Sequence, residues 1–363
     1  MRVLFITRKH PPSIGGMQRL SYHLICEMSQ RVRVAAVTWG GSQKFLPLFL
    51  IYALVRSISI GLAGVDLVHV GDPVVAPIGW IMQKLFRVPI VVTVHGLDIT
   101  FPMRLYQRLI PRLLREFDRI VCISRTTLMS CLERGIPFEK CVVIHPGVCV
   151  PPVLSPRGEA RRRLEKLSGH NLQDATILLT VGRLVQRKGV AWFVESVLPR
   201  VLAARSDVCY VIVGSGPEEH RIRALAMRPE VAGTTFILGS IPEEDLTLIF
   251  AAADLFVMPN LSVPADIEGF GLVAIEAAAH AIPVLGSDLE GIRDAVVAEH
   301  TGRLLQPGNV VAWVDGVLNL LNRPDTVREM GRLARDTAGE RYSWQRMADV
   351  YESLFRDVSR EHR

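Results

Sequence analysis

Short aliphatic and β-branched runs alternate with helical patterns from one end of the chain to the other, and this alternation limits the possible folds more than any other feature. The candidate strands are Val3–Thr7, Val32–Thr38, Leu67–Val70, Ile90–Val94, Arg119–Ile123 and Val142–His145. After a break come Thr176–Val181, Val208–Val213, Thr235–Leu238, Leu255–Met258 and Pro283–Gly286. Strands separated by helices pair in parallel, and helices then cover both faces of the sheet. The break, VPPVLSPRGEARRRLEKLSGHNLQD from Val150 to Asp174, is rich in proline and charge. Its first part reads as an interdomain linker and Glu159–Leu167 as a short surface helix. At 363 residues the chain is long for one core. The expected fold is α/β, with two doubly wound domains facing across a cleft and ligands at the carboxyl ends of the strands. The tail YSWQRMADVYESLFRDV, Tyr342–Val358, reads as one amphipathic helix.

The net charge of +6 is a mild basic excess that suits an anionic substrate, a membrane surface or nucleic acid without selecting one. Cys26, Cys122, Cys131, Cys141, Cys149 and Cys209 show no CxxC and no metal spacing, so they read as buried free thiols in a reducing cytoplasm. The chain opens directly on a strand, RVLFIT, and no secretory signal is expected. FLPLFLIYALVRSISIGLAG, Phe45 to Gly64, has about the length of a membrane span. Pro47, Arg56 and the strand that follows at once favour a packed or surface-docked helix instead.

The stretch EGFGLVAIE places Glu268 beside two glycines and Glu276 inside a run of strong helix formers. Eight helical residues span roughly 12 Å. Carboxylates that flank a glycosidic bond for hydrolysis sit about 5 to 9.5 Å apart. The pair therefore suits two contacts at separate ends of one elongated ligand. GRLVQRKG, Gly182–Gly189, brings Arg183, Arg187 and Lys188 to the mouth of a strand, where a phosphate clamp needs fixed positive charge. VGSGPE follows the next strand, and Gly214 and Gly216 would let a backbone approach a ligand closely. Gly15 and Gly16, in IGGMQR, precede a helix N-terminus, which is either an anion site or a flexible turn. His95 stands just past a strand in HGLD, with Gly96 and Asp98 beside it, as a polar contact for a sugar. No metal cluster is evident, so a helix N-terminus, an Arg and a Lys would stabilise an anionic group without a metal.

In order and spacing, EGFGLVAIEA, GRLVQRKG, VGSGPE, PVLGSDLEGIRDAV and TGRLLQPGN resemble the retaining GT-B glycosyltransferases of family GT4, across essentially the whole chain. IGGMQR and HGLD are most similar to bacterial mannosyl- and glucosyltransferases of lipid or polysaccharide synthesis. The resemblance implies two Rossmann-like domains. Residues 1–152 would bind the acceptor and 153–342 the nucleotide sugar, with a helix over 343–363 packing back on the first. It implies that Glu268 bonds donor-sugar hydroxyls and that backbone N–H groups from Gly269 through Phe270 and Gly271 to Leu272 hold the sugar and distal phosphate. Glu276 would bind the ribose, Arg183 and Lys188 the diphosphate with help from the Gly16 amide, and His95 the reacting face. The base would rest near Gly239 to Ile241. No cofactor is implied beyond the donor substrate, with UDP and GDP sugars first among the candidates. His280-Ala281 stands where the family often has a small residue followed by Gly. The loop NLSVPADIEGF lacks the usual basic residue, and Arg293 replaces a Pro or small residue.

For the acceptor, MRLYQRLIPRLLREFDRI spaces Arg104, Arg108, Arg112, Arg115 and Arg119 beside a stripe of Leu105, Leu109, Leu113 and Phe117, and Pro111 would kink or split the helix. This is either a solvated face or a surface for an anionic membrane, which would make the enzyme peripheral on the inner face of the cell membrane with a lipid-linked or membrane-proximal hydroxyl acceptor. Nucleic acid is not expected, because no aromatic platform accompanies the arginines. Two rival readings remain. A sugar-nucleotide 2-epimerase would change its donor without an acceptor, and an inactive membrane-associated scaffold would bind no sugar nucleotide.

Overall fold

The apolar runs assemble into two separate six-stranded sheets in which every pair of neighbours is parallel. They are seen in a computed structural model that describes residues 1–362, apart from the side chain of Gln43. One unit comprises Met1–Gly147 with the segment from Tyr342, and the other Val148–Arg341.

In the first unit β1 (Arg2–Thr7), β2 (Arg33–Thr38), β3 (Leu67–Val70), β4 (Ile90–Val94), β5 (Arg119–Cys122) and β6 (Cys141–Val143) lie in the order β2-β1-β3-β4-β5-β6. Strands β3 and β4 are buried at every residue, which is why they read as unbroken apolar runs. The helix Trp344–Glu361 packs on the helix Gly16–Ser29. Its Phe355 ring lies 6.1 Å from Phe5, and its Tyr351 hydroxyl lies 2.8 Å from Thr93 Oγ1 on β4. The segment from Phe45 forms the helix Leu46–Leu62, and no described helix is long and apolar enough to cross a membrane. Phe49, Ala53, Ser57 and Ile60 face the core, while Leu48, Ile51, Tyr52, Val55 and Leu62 are exposed.

The arginine-rich segment differs from its reading. The helix Arg104–Glu116 is continuous through a buried Pro111, at the cost of one main-chain hydrogen bond. It ends at fully buried Phe117, so Arg119 belongs to β5 and pairs with Glu361 at 2.7 Å. Arg115 turns to the Arg134 carbonyl at 2.9 Å. The cysteines are free, but Cys149 is exposed and Cys26 and Cys141 are half-buried, so only three of the six match the buried reading.

The second unit holds β7 (Thr176–Val181), β8 (Val208–Val213), β9 (Thr235–Gly239), β10 (Leu255–Met258), β11 (Val284–Ser287) and β12 (Gly302–Leu305), in the order β12-β11-β10-β7-β8-β9. Strand β12 is absent from the sequence reading. It is a short edge strand with a charged Arg303 and partial burial, so it gives no continuous apolar run. The helix Leu272–Ala279 stops at His280, whose ring stacks on Phe250 at 4.9 Å. Ala281 then takes the left-handed conformation, φ 59, that glycine adopts without strain. Ala281→Gly should therefore stabilise this unit by about 0.5 to 1 kcal/mol, readable as a shift in the calorimetric melt. No gain would mean that the surrounding contacts, not the backbone, set the conformation there.

Candidate active site

The site in the second unit grows from the loops that leave β7, β8 and β10. After β7 the loop Gly182–Gly189 is tied to the loop after β8. The Gly182 N–H donates to the Val213 carbonyl, Leu184 N–H to Ser215 and Glu218 N–H to Leu184, each at 2.9 Å. A Cβ on Gly214 would lie 1.9 Å from the Gly182 oxygen, and one on Gly216 2.4 Å from the Leu184 oxygen. These two glycines are needed for loop-on-loop contact, a different reason from the ligand approach read in VGSGPE. Gly239 ends β9 and accepts the Gly214 N–H at 2.7 Å, with partly exposed Ile241 just beyond. At the far end Gly189 caps the turn Gln186–Lys188 in the left-handed region. A side chain there would meet the Pro259 carbonyl at 1.8 Å, so this turn lies hard against the loop that follows β10.

That contact delivers two cations to one carboxylate. Glu268 is only 8 % exposed, and its Oε2 accepts from Arg187 Nη1, from Lys188 Nζ at 2.5 Å and from Asn260 Nδ2 at 2.9 Å. Its Oε1 has no donor among the described residues. Arg187 also binds Asp266 through Nε at 2.9 Å. Burial alone would raise the Glu268 pKa, but attraction to Lys188 and then Arg187 brings it down to about 2. The Lys188 ammonium is pulled below its ordinary range by burial, against the pull of Glu268 and with a further push from Arg187. Arg183 is exposed and has no side-chain partner among the described residues, yet lies close enough to Lys188 to act on its charge.

The backbone of Glu268 is fixed as firmly as its side chain. Its N–H donates to Glu290 Oε2 at 2.5 Å, and its carbonyl accepts the Gly291 N–H at 3.1 Å. A Cβ on Gly291 would stand 2.3 Å from the Gly269 oxygen. The segment Gly269–Leu272 is thereby clamped, with Phe270 buried as its anchor and Gly271 left-handed before the helix Leu272–Ala279. Glu276 lies in the middle of that helix, half-buried, and its carbonyl accepts from His280 Nδ1 at 2.8 Å. Asn260, Asp266, Glu290 and Gly291 were not singled out in the sequence. The only signals were NLSVPADIEGF and DLEGIRD, which were read for resemblance and not for contact.

In the first unit, Gly15 caps and Gly16 begins the helix Gly16–Ser29 at the carboxyl edge of the sheet. His95 directly follows β4 and is buried. Its Nε2 donates to the Gly71 carbonyl at 2.9 Å, and its backbone N–H meets both oxygens of Asp98 at 3.0 Å. Burial pushes the Asp98 carboxyl above its ordinary range, His95 opposes this, and nearby Asp72 adds to the rise.

Comparison with known proteins gives a consistent picture. Residues 14–150 match the family model described as Glycosyltransferase Family 4, and residues 175–323 the one described as Glycosyl transferases group 1. A GDP-mannose-dependent alpha-(1-6)-phosphatidylinositol monomannoside mannosyltransferase of Mycolicibacterium smegmatis is 26 % identical, over 94 % of this chain and 95 % of that protein. A D-inositol 3-phosphate glycosyltransferase of Segniliparus rotundus is 29 % identical, over 81 % and 67 %. Among solved structures, Anabaena HepE in complex with UDP shares the fold, with a TM-score of 0.78 at 17 % identity, over 98 % of this chain and 99 % of that one.

Proposed function

Because the chain belongs to the glycosyltransferases of Family 4 and group 1, which act on nucleotide sugars, we propose that it is a retaining, metal-independent hexosyltransferase. It takes a hexose from a UDP or GDP sugar and delivers it to a hydroxyl acceptor that is lipid-linked or close to a membrane. The observation that carries this reading is the state of Glu268. One carboxylate oxygen is saturated by three donors, while the other is uncommitted and ready to accept from sugar hydroxyls. Lys188 bonds it directly and Arg183 lies near Lys188, so fixed charge is at hand. When the bond between the anomeric carbon and the distal phosphate oxygen breaks, negative charge develops on the diphosphate, and preorganised cations stabilise that charge without reorganising. Glu276, on the helix that starts at the clamped segment, takes the ribose hydroxyls.

A thermal-shift screen against UDP-, GDP- and ADP-sugars, with and without EDTA, tests the reading. One nucleotide sugar should raise the melting temperature whether or not EDTA is present. Glu276→Ala should weaken that ligand by about tenfold, the loss of hydrogen bonds to a charged acceptor. Failure of every nucleotide sugar to bind would favour an inactive scaffold. Epimerised donor formed without acceptor would favour the epimerase.

The membrane surface rests on a layer of helices in the first unit. The helix Leu46–Leu62 packs on Ala76–Phe86, which packs on Arg104–Glu116. Outward from this layer stand Leu48, Ile51, Val55, Leu85, Leu105 and Leu109, with exposed Arg104, Arg108 and Arg112. Each basic residue near an anionic surface contributes about 1 kcal/mol, so Arg108→Glu with Arg112→Glu should weaken binding to phosphatidylglycerol vesicles by at least about tenfold. Equal cosedimentation of both proteins would remove this surface from the proposal.

A further inference from the structure

Arg8 is a charged side chain at the carboxyl edge of the first sheet that the donor chemistry does not use. It follows β1 directly and reaches across to the end of β3, where its Nε lies 2.9 Å from Asp72 Oδ1. Asp72 is fully buried, and the same Oδ1 accepts the Val74 N–H at 3.0 Å, which caps the turn Pro73–Val75. The second oxygen, Oδ2, is buried with no donor. Arginine and carboxylate ordinarily prefer two parallel bonds, and here the second is unmade. Both Nη groups of Arg8 are instead without an acceptor among the described residues, although the side chain is only 12 % exposed. A pair present only for stability would use Oδ2. This one grips the guanidinium by its Nε edge and leaves the fork of four Nη hydrogens open. Arg8 and Asp72 both act on the charge of Asp98, the residue that holds the His95 backbone, so the fork stands in the middle of the sheet edge.

Resting on the glycosyltransferase reading, we infer that Arg8 binds an oxyanion carried by the acceptor, a phosphate or a carboxylate, and that Asp72 is its positioning residue. A planar fork held in one orientation matches two oxyanion oxygens at once, which an ammonium on a flexible stem does not. Burial by Asp72 fixes the side chain before the ligand arrives, so little conformational entropy remains to be lost on binding. The acceptor is thereby placed in the class of phosphorylated or carboxylated hydroxyl compounds, and neutral sugars are excluded.

The test uses the full chain saturated with whichever of UDP or GDP binds it, so that the phosphate sites of the donor are filled. Calorimetric titrations then compare myo-inositol 1-phosphate with myo-inositol, and inorganic phosphate with acetate. The wild type should favour the anionic polyol by at least about tenfold, the worth of one charge-assisted pair. Arg8→Gln should abolish that preference, Arg8→Lys should retain part of it, and nucleotide affinity should change less than about twofold, because Arg183, Lys188 and Glu276, the proposed donor contacts, keep their own partners and charges. Arg8→Gln leaves Asp72 buried and unpaired, so Arg8→Gln with Asp72→Asn provides a variant without the stranded charge. Preference for phosphate over acetate would identify the oxyanion as phosphate, and the reverse as carboxylate. No anionic preference in the wild type, or one that survives in both glutamine variants, overturns the inference. Competition between the polyol phosphate and the nucleotide would also overturn it, by moving Arg8 to the donor. Failure of every nucleotide to bind the wild type would instead sink the glycosyltransferase proposal itself.

Discussion

Glu268→Gln should lower sugar transfer by about 10² to 10³, the range found when one preorganised electrostatic contact to a transition state is removed. Two effects combine. The uncommitted Oε1 loses the charge that would strengthen its bonds to sugar hydroxyls, and Lys188 loses the one group that pulls its ammonium upward. With burial, Arg187 and Arg183 then unopposed, the lysine gives up its proton at lower pH, so the alkaline limb of the activity profile should move down in the variant. The acid side of the stability profile changes as well. Glu268 titrates at about 2 in the folded protein against an ordinary 4.5. Its contribution is therefore complete above pH 4.5 and is lost as pH falls towards 2, and by linkage it amounts to about 3 kcal/mol. Acid titrations of stability in both proteins should show that part of the slope missing from the variant. An unchanged turnover with an unchanged alkaline limb would remove Glu268 and Lys188 from the chemistry together.

The legible parts of this protein were those written in contiguous residues. Strands such as Ile90–Val94 and Val208–Val213 are buried at every position, so the sequence carries them as unbroken apolar runs. Gly302–Leu305 lies at an edge and carries a charge, and it could not be read that way. The same division holds for the site. Glu268 and Glu276 were visible because bend and helix are adjacent in the chain. What Glu268 touches was not, since Arg187 is separated from it by 81 positions and the Glu290 clamp by 22. Arg187 was noticed as part of a basic cluster while Arg183 was assigned to the ligand, because charge and position after a strand do not tell which side chain turns inward. Gly214 and Gly216 carry a reason that the sequence does not show. The residue type was diagnostic of close approach, but the approaching atoms are the carbonyls of a neighbouring loop. The pairing of Arg8 with Asp72 spans 64 positions and left no local trace.

Arg187 is the residue whose loss should most damage the fold of the second unit. It bridges Asp266 and Glu268 at only 8 % side-chain exposure, and Glu268 is nearly as buried. Removing one member of such a network leaves a desolvated charge behind, at about 3 to 5 kcal/mol. For a unit of this size Arg187→Met should lower the melting temperature by about 10 °C. The cost falls unequally on the two carboxylates, since Asp266 is more than a third exposed and can turn to water, whereas Glu268 cannot. Arg187→Met with Asp266→Asn should therefore recover little, and Arg187→Lys should also recover little, because a single ammonium cannot reproduce a fork that meets two carboxylates in fixed directions. Glu268 in the two methionine variants keeps Lys188 and Asn260 but loses one of two cations, so its pKa rises towards the ordinary value and the acid limb of stability moves to higher pH. Calorimetry gives the first quantity, and hydrogen exchange across 255–272 localises it. Unaltered protection of that segment, with an unaltered melt, would mean that Lys188 and Asn260 suffice to hold Glu268 and that Arg187 contributes charge without structure.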